Sequence, residues 1–139
     1  MSLSIRNQFP GTVVSVTPGE VMATVKVRLE GGQEVTAAIT LEAAQELGLA
    51  PGSVVRALVK STEVSLATAA VEGLSIRNQI PGTVTGVATG GAMASVKVGV
   101  VGGELTAAIT KDAVADLGLA AGSSVVALIK STEISLSTG

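Results

Sequence analysis

Apolar and polar residues alternate with a period of two along several short segments of the chain, a pattern typical of half-buried β-strands. The clearest example is Met22–Leu29, in which Thr, Lys and Arg alternate with Ala, Val and Leu. Four further segments rich in β-branched residues also predict strands. They are Gly11–Val16, Glu34–Ile39, Val54–Lys60 and Val64–Leu66.

Turn and cap residues separate these predicted strands. Pro10-Gly11 and Pro18-Gly19 predict turns on either side of the first strand, and Gly31-Gly32 predicts a hairpin turn. The segment Thr40–Gly48 predicts a short helix, because a possible Thr N-cap is followed by Glu, Ala and Leu and then by a terminal Gly. The pattern therefore predicts about five short strands and one helical turn in a unit of about 63 residues.

The whole pattern occurs twice. When Leu3–Leu66 is aligned with Leu74–Leu136 and one residue is gapped near Gln33, about 41 of about 63 pairs are identical. We expect an all-β chain of two tandem OB-like Greek-key barrels, each with one short helix. The predicted domains are residues 1–66 and 74–139, and the short linker 67–73 indicates that the two barrels lie in contact.

The composition limits how such barrels are stabilised. Hydrophobic residues make up 47% of the 139 positions, yet one Phe is the single aromatic residue, so Val, Ala, Leu and Ile must build the core. A small barrel buries little surface by itself, and we therefore expect contacts with the twin repeat and with other chains. No apolar stretch approaches the roughly 20 residues of a spanning helix, and no signal peptide is visible. The sequence predicts a soluble, cytoplasmic protein without a membrane partner.

Several kinds of chemistry are disfavoured by the residues that the chain lacks. It contains no Cys and no His, which removes the thiol nucleophile, the imidazole acid–base group and the usual ligands of zinc. The carboxylates are scattered, so neither a metal-cation site nor a catalytic pair is predicted. The net charge of −2 and the lack of aromatic stacking residues argue against nucleic acid as a partner. The prediction is a protein that is not an enzyme and needs no catalytic cofactor.

Hydroxyl-bearing and basic residues recur at matching positions in both repeats. Arg and Lys supply charge-assisted hydrogen bonds and Ser and Thr supply neutral ones, which together are the groups that a tetrahedral oxyanion requires. An oxyanion site is one interpretation, and solvated surface charges with ordinary strand or cap residues are the other. The residues are Ser4, Arg6, Asn7, Thr40 and Lys60–Thr62, repeated as Ser75, Arg77, Asn78, Thr110 and Lys130–Thr132.

Five motifs together resemble the molbindin family, whose unit is the Mop domain, a TOBE-like module that binds molybdate and tungstate. The resemblance covers almost the whole chain, twice, and is closest to the free-standing two-domain members. It implies OB-like barrels, homotrimers of two-domain chains, and oxyanions bound between barrels of neighbouring subunits and near the threefold axis. The motifs are Ser4-Ile5-Arg6-Asn7-Gln8, Gly11-Thr12-Val13, Ala38-Ile39-Thr40, Leu47-Gly48-Leu49 and Val59-Lys60-Ser61.

Transferred by motif position, the resemblance implies two equivalent sets of oxyanion ligands. The first is Ser4, Arg6, Thr40, Lys60 and Ser61, and the second is Ser75, Arg77, Thr110, Lys130 and Ser131. Because the implied sites are shared between barrels, Arg6 can meet either the lysine of its own barrel or that of another, and the pairing stays open. Asn7, Asn78, Thr62 and Thr132 are second-rank candidates. Met22 and Met93 stand where many family members have Asn, which leaves the sites near the threefold axis open.

Two functions follow from these observations. The first is reversible binding of molybdate or tungstate for storage, buffering or homeostasis in the cytoplasm. The alternative is an anion-responsive regulatory or interaction module whose oxyanion site controls assembly with a partner. The residues do not distinguish molybdate from tungstate, since both are dianions of similar shape.

Overall fold

The computed structural model describes residues 3–139, and within that range the chain is built mainly of β-strands. The all-β prediction with one short helix in each repeat is confirmed. In chain order the elements are β1 (Asn7–Pro18), β2 (Met22–Leu29), β3 (Glu34–Thr40), α1 (Leu41–Glu46), β4 (Val54–Val59), a 3₁₀ turn (Ser61–Glu63), β5 (Ser65–Ala67), β6 (Asn78–Thr89), β7 (Met93–Val100), β8 (Gly103–Thr110), α2 (Lys111–Leu117), β9 (Ser124–Ile129), a second 3₁₀ turn (Ser131–Glu133) and β10 (Ser135–Ser137).

The strands form two curled antiparallel sheets of five strands each. Their strand orders are β10-β4-β1-β2-β3 and β5-β9-β6-β7-β8. The last strand of each repeat therefore belongs to the sheet of the other repeat, because β5 pairs with β9 and β10 pairs with β4. The two repeats read from the sequence thus exchange their final strands, and the limits of the sheets differ from the limits of the repeats.

The first strand is longer than the sequence predicted, and the turn expected at Pro10-Gly11 is wrong. β1 runs straight through this dipeptide. The Pro10 carbonyl points towards the β2 side of the strand, where it accepts a hydrogen bond from the Glu30 N–H. An N–H on residue 10 would point the same way, but the ladder with β2 ends at Leu29, opposite Gly11. Proline is therefore tolerated at this position. Glycine is needed because a Cβ on Gly11 would lie 2.7 Å from the Arg28 carbonyl oxygen. Pro-Gly here permits a close strand contact rather than a turn.

The helix predictions are confirmed, although the helices are shorter than the patterns indicated. The Thr40 hydroxyl accepts a hydrogen bond from the Ala43 backbone N–H at 3.1 Å, as an N-cap residue does. Thr110 caps α2 in the same way through Ala113. Gly48 follows the end of α1 with a φ of +61°, a conformation that favours glycine.

The core is continuous between the two sheets and consists of aliphatic side chains. Every second residue of β2 is buried, with Val25 and Val27 fully enclosed. Val96 and Val98 occupy the equivalent positions in β7 and belong to the same hydrophobic cluster. Phe9 is partly buried against this cluster. Neither helix within residues 3–139 combines the length and apolar character that crossing a membrane requires.

Candidate anion-binding site

Two antiparallel strands bring Arg6 and Lys60 to the same end of the first sheet. Asn7, the first residue of β1, is opposite Val59, the last residue of β4. Arg6 precedes Asn7 and Lys60 follows Val59, so both basic residues continue beyond the same strand pair. Both are exposed, and neither forms an ion pair with any residue in the described range 3–139. Two positive charges therefore lie close together without a neutralising carboxylate.

A surface depression of about 240 Å³ lies beside these two residues. It contains four of the five first-rank ligand candidates of the first repeat, together with the second-rank candidate Thr62. No carboxylate lines it. The lining residues are Ser4, Ile5, Arg6, Lys60, Ser61 and Thr62.

The Ser61 hydroxyl is the most informative group in this depression. Its oxygen is buried, yet it has no hydrogen-bond partner within residues 3–139. Ser61 begins the 3₁₀ turn that is closed by a hydrogen bond of 2.9 Å from the Glu63 backbone N–H to the Lys60 carbonyl. A buried hydroxyl without a partner is costly, so such a group requires an explanation. Because Ser61 lines the depression, its hydroxyl is a candidate donor to an anion bound there.

The second repeat reproduces the same backbone arrangement. Asn78 of β6 is opposite Ile129 of β9, so Arg77 and Lys130 extend beyond a strand pair as Arg6 and Lys60 do. Both are exposed, as is Ser75. Ser131 begins the second 3₁₀ turn, in the position that Ser61 has in the first. The second predicted set thus occupies equivalent positions in the second sheet.

The two predicted helix-cap ligands lie elsewhere. Thr40 lines a separate depression of about 400 Å³ together with Thr132, Met22 and Leu47. Thr40 and Thr132 come from different repeats and meet because the second 3₁₀ turn packs against β3. In the reverse direction, the first 3₁₀ turn packs against β8, the strand that ends at Thr110. The structure therefore places Thr40 beside the 3₁₀ turn of the opposite repeat, and the strand that ends at Thr110 contacts the other 3₁₀ turn.

The side chains of the two second-rank asparagines form hydrogen bonds between the two repeats. Asn7 donates a hydrogen bond from Nδ2 to the Thr106 carbonyl at 2.9 Å and accepts one at Oδ1 from the Thr106 N–H at 2.8 Å. Asn78 makes the same two bonds with the backbone of Thr36. Each side chain thus binds the backbone of the other repeat. The sequence signal for this role is weak, since it amounts to an amide at the first position of a strand.

A family model for the TOBE domain matches residues 3–66 and 74–136. The chain belongs to the TOBE domain family. Its two tandem TOBE domains account for nearly all of the described residues, and they coincide with the two repeats found in the sequence. The strand exchange shows that each TOBE domain contributes its last strand to the sheet of the other.

Relatives of the tandem TOBE chain include proteins named for molybdenum. It is 44% identical over 135 residues to the molybdenum-pterin-binding protein MopB of Rhodobacter capsulatus, covering 96% of this chain and 50% of MopB. It is 41% identical over 132 residues to the molybdenum transport protein ModE of Herbaspirillum seropedicae, covering 94% of this chain and 49% of ModE. The chain thus spans about half the length of these curated relatives.

A solved structure matches the tandem TOBE fold over its entire length. The cytoplasmic molybdate-binding protein ModG, in a crystal form with molybdate bound, superposes with a TM-score of 0.96 at 43% identity. The match covers 100% of both chains. This agreement establishes the two-domain OB-like architecture predicted from the sequence.

Proposed function

We propose that this chain reversibly binds molybdate in the depression beside Arg6 and Lys60, and that an equivalent site lies beside Arg77 and Lys130. The observation that carries the proposal is the buried Ser61 hydroxyl, which lies next to two cations. Neither the hydroxyl nor the cations have a partner within residues 3–139. The molybdate-binding relative of the same length and fold supports the choice of anion. Binding of this kind makes and breaks no covalent bond.

The chemistry of the depression suits a fully ionised tetrahedral dianion. Removing such an ion from water is costly unless charged and neutral donors surround it. Arg6 and Lys60 offer charge-assisted hydrogen bonds, and Ser4, Ser61 and Thr62 offer neutral hydroxyl donors. Because no carboxylate lines the depression, an anion that carries no proton is favoured.

Each cap threonine is proposed to serve the site of the opposite repeat. The contact between the first 3₁₀ turn and β8 supports a role for Thr110 beside Thr62. The shared depression of Thr40 and Thr132 supports the equivalent role for Thr40. Under this proposal each oxyanion site draws residues from both TOBE domains.

We further propose that the chain assembles as a homotrimer and acts in the cytoplasm to store or buffer the anion. Support comes from apolar side chains that remain exposed in the single chain, among them Met22 at 42%, Met93 at 48% and Leu47 at 38%. Sedimentation equilibrium tests the assembly, and Met22→Lys combined with Leu47→Lys should shift the trimer towards smaller species. A monomeric parent chain at micromolar concentration would contradict the trimer.

The binding proposal is tested by calorimetric titration of the anion-free full chain. Molybdate should give saturable binding, and tungstate should behave in the same way because its charge and shape are nearly the same. Phosphate should bind far more weakly. A parent chain that is folded but binds neither molybdate nor tungstate would refute the proposed function.

A further inference from the structure

Asn7 and Asn78 are the buried polar residues of the described range, with 3% and 4% of their surface exposed. Each side-chain amide makes two hydrogen bonds, one as donor and one as acceptor, to a single backbone position of the other repeat. An asparagine amide has the same donor and acceptor pair as a peptide group. Each asparagine side chain therefore forms the pair of backbone hydrogen bonds that a residue of a neighbouring strand would form.

The backbone that each asparagine binds belongs to the outer edge of a sheet. β8 is the outermost strand of its sheet, and its one ladder partner is β7. At Thr106 of β8 the free N–H and C=O are satisfied by the Asn7 side chain. Thr36 of the outermost strand β3 is satisfied by Asn78 in the same way. These contacts fasten the start of β1 to β8 and the start of β6 to β3.

Each contact lies directly beside a candidate anion site. Asn7 follows Arg6 in sequence, and its ladder partner Val59 precedes Lys60. The 3₁₀ turn that contains Ser61 packs against β8, the strand held by Asn7. The single amide of Asn7 thus lies where the Arg6 segment, the Lys60 segment and the opposite repeat meet.

We propose that Asn7 and Asn78 are positioning residues, each of which orients the cations of the adjacent oxyanion site against the other repeat. This inference rests on the proposed function. The Asn7 amide contacts the backbone of Thr106 rather than the anion, and it fixes the direction in which the chain carries Arg6 and Ser4 into the depression. Loss of the amide should loosen one site and leave the other intact.

The test measures molybdate affinity at each site separately in the full chain. Arg77→Ala with Lys130→Ala leaves the first site alone, and Arg6→Ala with Lys60→Ala leaves the second. Asn7→Ala is then introduced into both backgrounds and titrated by calorimetry, with thermal unfolding recorded for every variant. Asn78→Ala is the matched control, since it makes the same change in the other repeat.

Asn7→Ala should weaken the first site about 10- to 100-fold, as observed when residues that orient ligands at metal sites are removed. It should leave the second site unchanged, and Asn78→Ala should give the reverse. Asn7→Ser keeps a hydroxyl that is too short to reach Thr106 directly but can bond it through a water molecule. It should give a smaller loss in the same direction, which preserves the test if the alanine variant does not fold.

Equal losses at both sites would indicate a purely structural role and would overturn the inference. Unchanged affinity of the first site in folded Asn7→Ala would overturn it as well, while leaving the proposed function standing. Absence of molybdate binding to the parent chain would instead overturn the proposed function, and this inference with it.

Discussion

Leu66 of the first repeat pairs with Ala127 of the second, and Leu136 of the second pairs with Ala57 of the first. Neither sheet therefore has its full set of strands without the other repeat. The asparagine contacts strengthen the same dependence, because they join Asn7 to Thr106 across 99 positions of sequence. The two TOBE domains should consequently unfold together in one transition.

Leu66→Asp should destabilise the second sheet more than the first. Leu66 is partly buried against the core, so the change removes apolar burial and places a charge there, at a cost of about 1–3 kcal/mol. Hydrogen exchange should accelerate at Val126 and Leu128 of β9 more than at Leu58 of β4. Leu136→Asp is the control with the opposite expected pattern. Faster exchange in β4 than in β9 after Leu66→Asp would mean that each repeat keeps its own last strand.

Arg6→Ala and Lys60→Ala should each weaken molybdate binding at the first site while leaving the fold intact. Both residues are exposed and form no ion pair within residues 3–139, so the folded chain loses little. A hydrogen bond to a charged group contributes about 1.5–3 kcal/mol, which corresponds to a loss of roughly tenfold to a hundredfold in affinity. Calorimetry on the Arg77→Ala, Lys130→Ala background isolates this site.

Lys26→Ala is the control for that experiment, because Lys26 is an exposed lysine on β2 and does not line the depression. It removes the same charge from the molecule without touching the proposed ligands. If Lys26→Ala lowered the affinity as much as Lys60→Ala, the effect would come from overall charge rather than from a specific site.

Ser61→Ala should leave the anion-free chain at least as stable as the parent, yet weaken molybdate binding. The Ser61 hydroxyl is buried and has no partner among the described residues 3–139, so its removal relieves a desolvation cost of about 1–3 kcal/mol. The matched control is Ser53→Ala, because the Ser53 hydroxyl accepts a hydrogen bond of 3.0 Å from the Ala50 N–H. Ser53→Ala should lower the free energy of unfolding by about 1 kcal/mol and leave binding unchanged.

Chemical denaturation in anion-free buffer, followed by calorimetry with molybdate, separates the two serines. A Ser61→Ala variant that is clearly less stable than the parent would show that the hydroxyl has a partner within the folded protein. The interpretation of this group as a ligand-facing donor would then fail.

Phosphate should bind far more weakly than molybdate at neutral pH. Hydrogen phosphate carries a proton that needs an acceptor, whereas the depression presents Arg, Lys, Ser and Thr donors and no carboxylate. Sulfate carries no proton and should be disfavoured by its smaller size alone. A competition titration in which phosphate displaces molybdate at similar concentration would contradict a site built from donors.

Much of the fold could be predicted from the sequence because local patterns determine it. The alternation in Met22–Leu29 predicts a strand. Thr40 predicts the start of a helix, and Gly48 predicts its end. The error at Pro10-Gly11 arose because the same dipeptide permits either a turn or a close strand contact. The choice depends on where β2 ends, which is not a local property.

The strand exchange could not be predicted for a related reason. The final strand of each repeat begins with Ser-Leu, at Ser65-Leu66 and Ser135-Leu136. Either strand could therefore pair with either sheet. The sequence left open which barrel supplies each residue of a site, and the folded chain places Thr40 beside Thr132 of the other repeat. Asn7 carried no signal that distinguished an anion ligand from a contact between repeats, because the partner at Thr106 is defined by the tertiary fold alone.

Equilibrium dialysis of the anion-free full chain against molybdate, followed by molybdenum analysis, tests the central claim most directly. The account predicts saturable retention of molybdate by the parent chain and its loss in the variant that combines Arg6→Ala, Lys60→Ala, Arg77→Ala and Lys130→Ala. No retention by the folded parent, or equal retention by parent and variant, would contradict it.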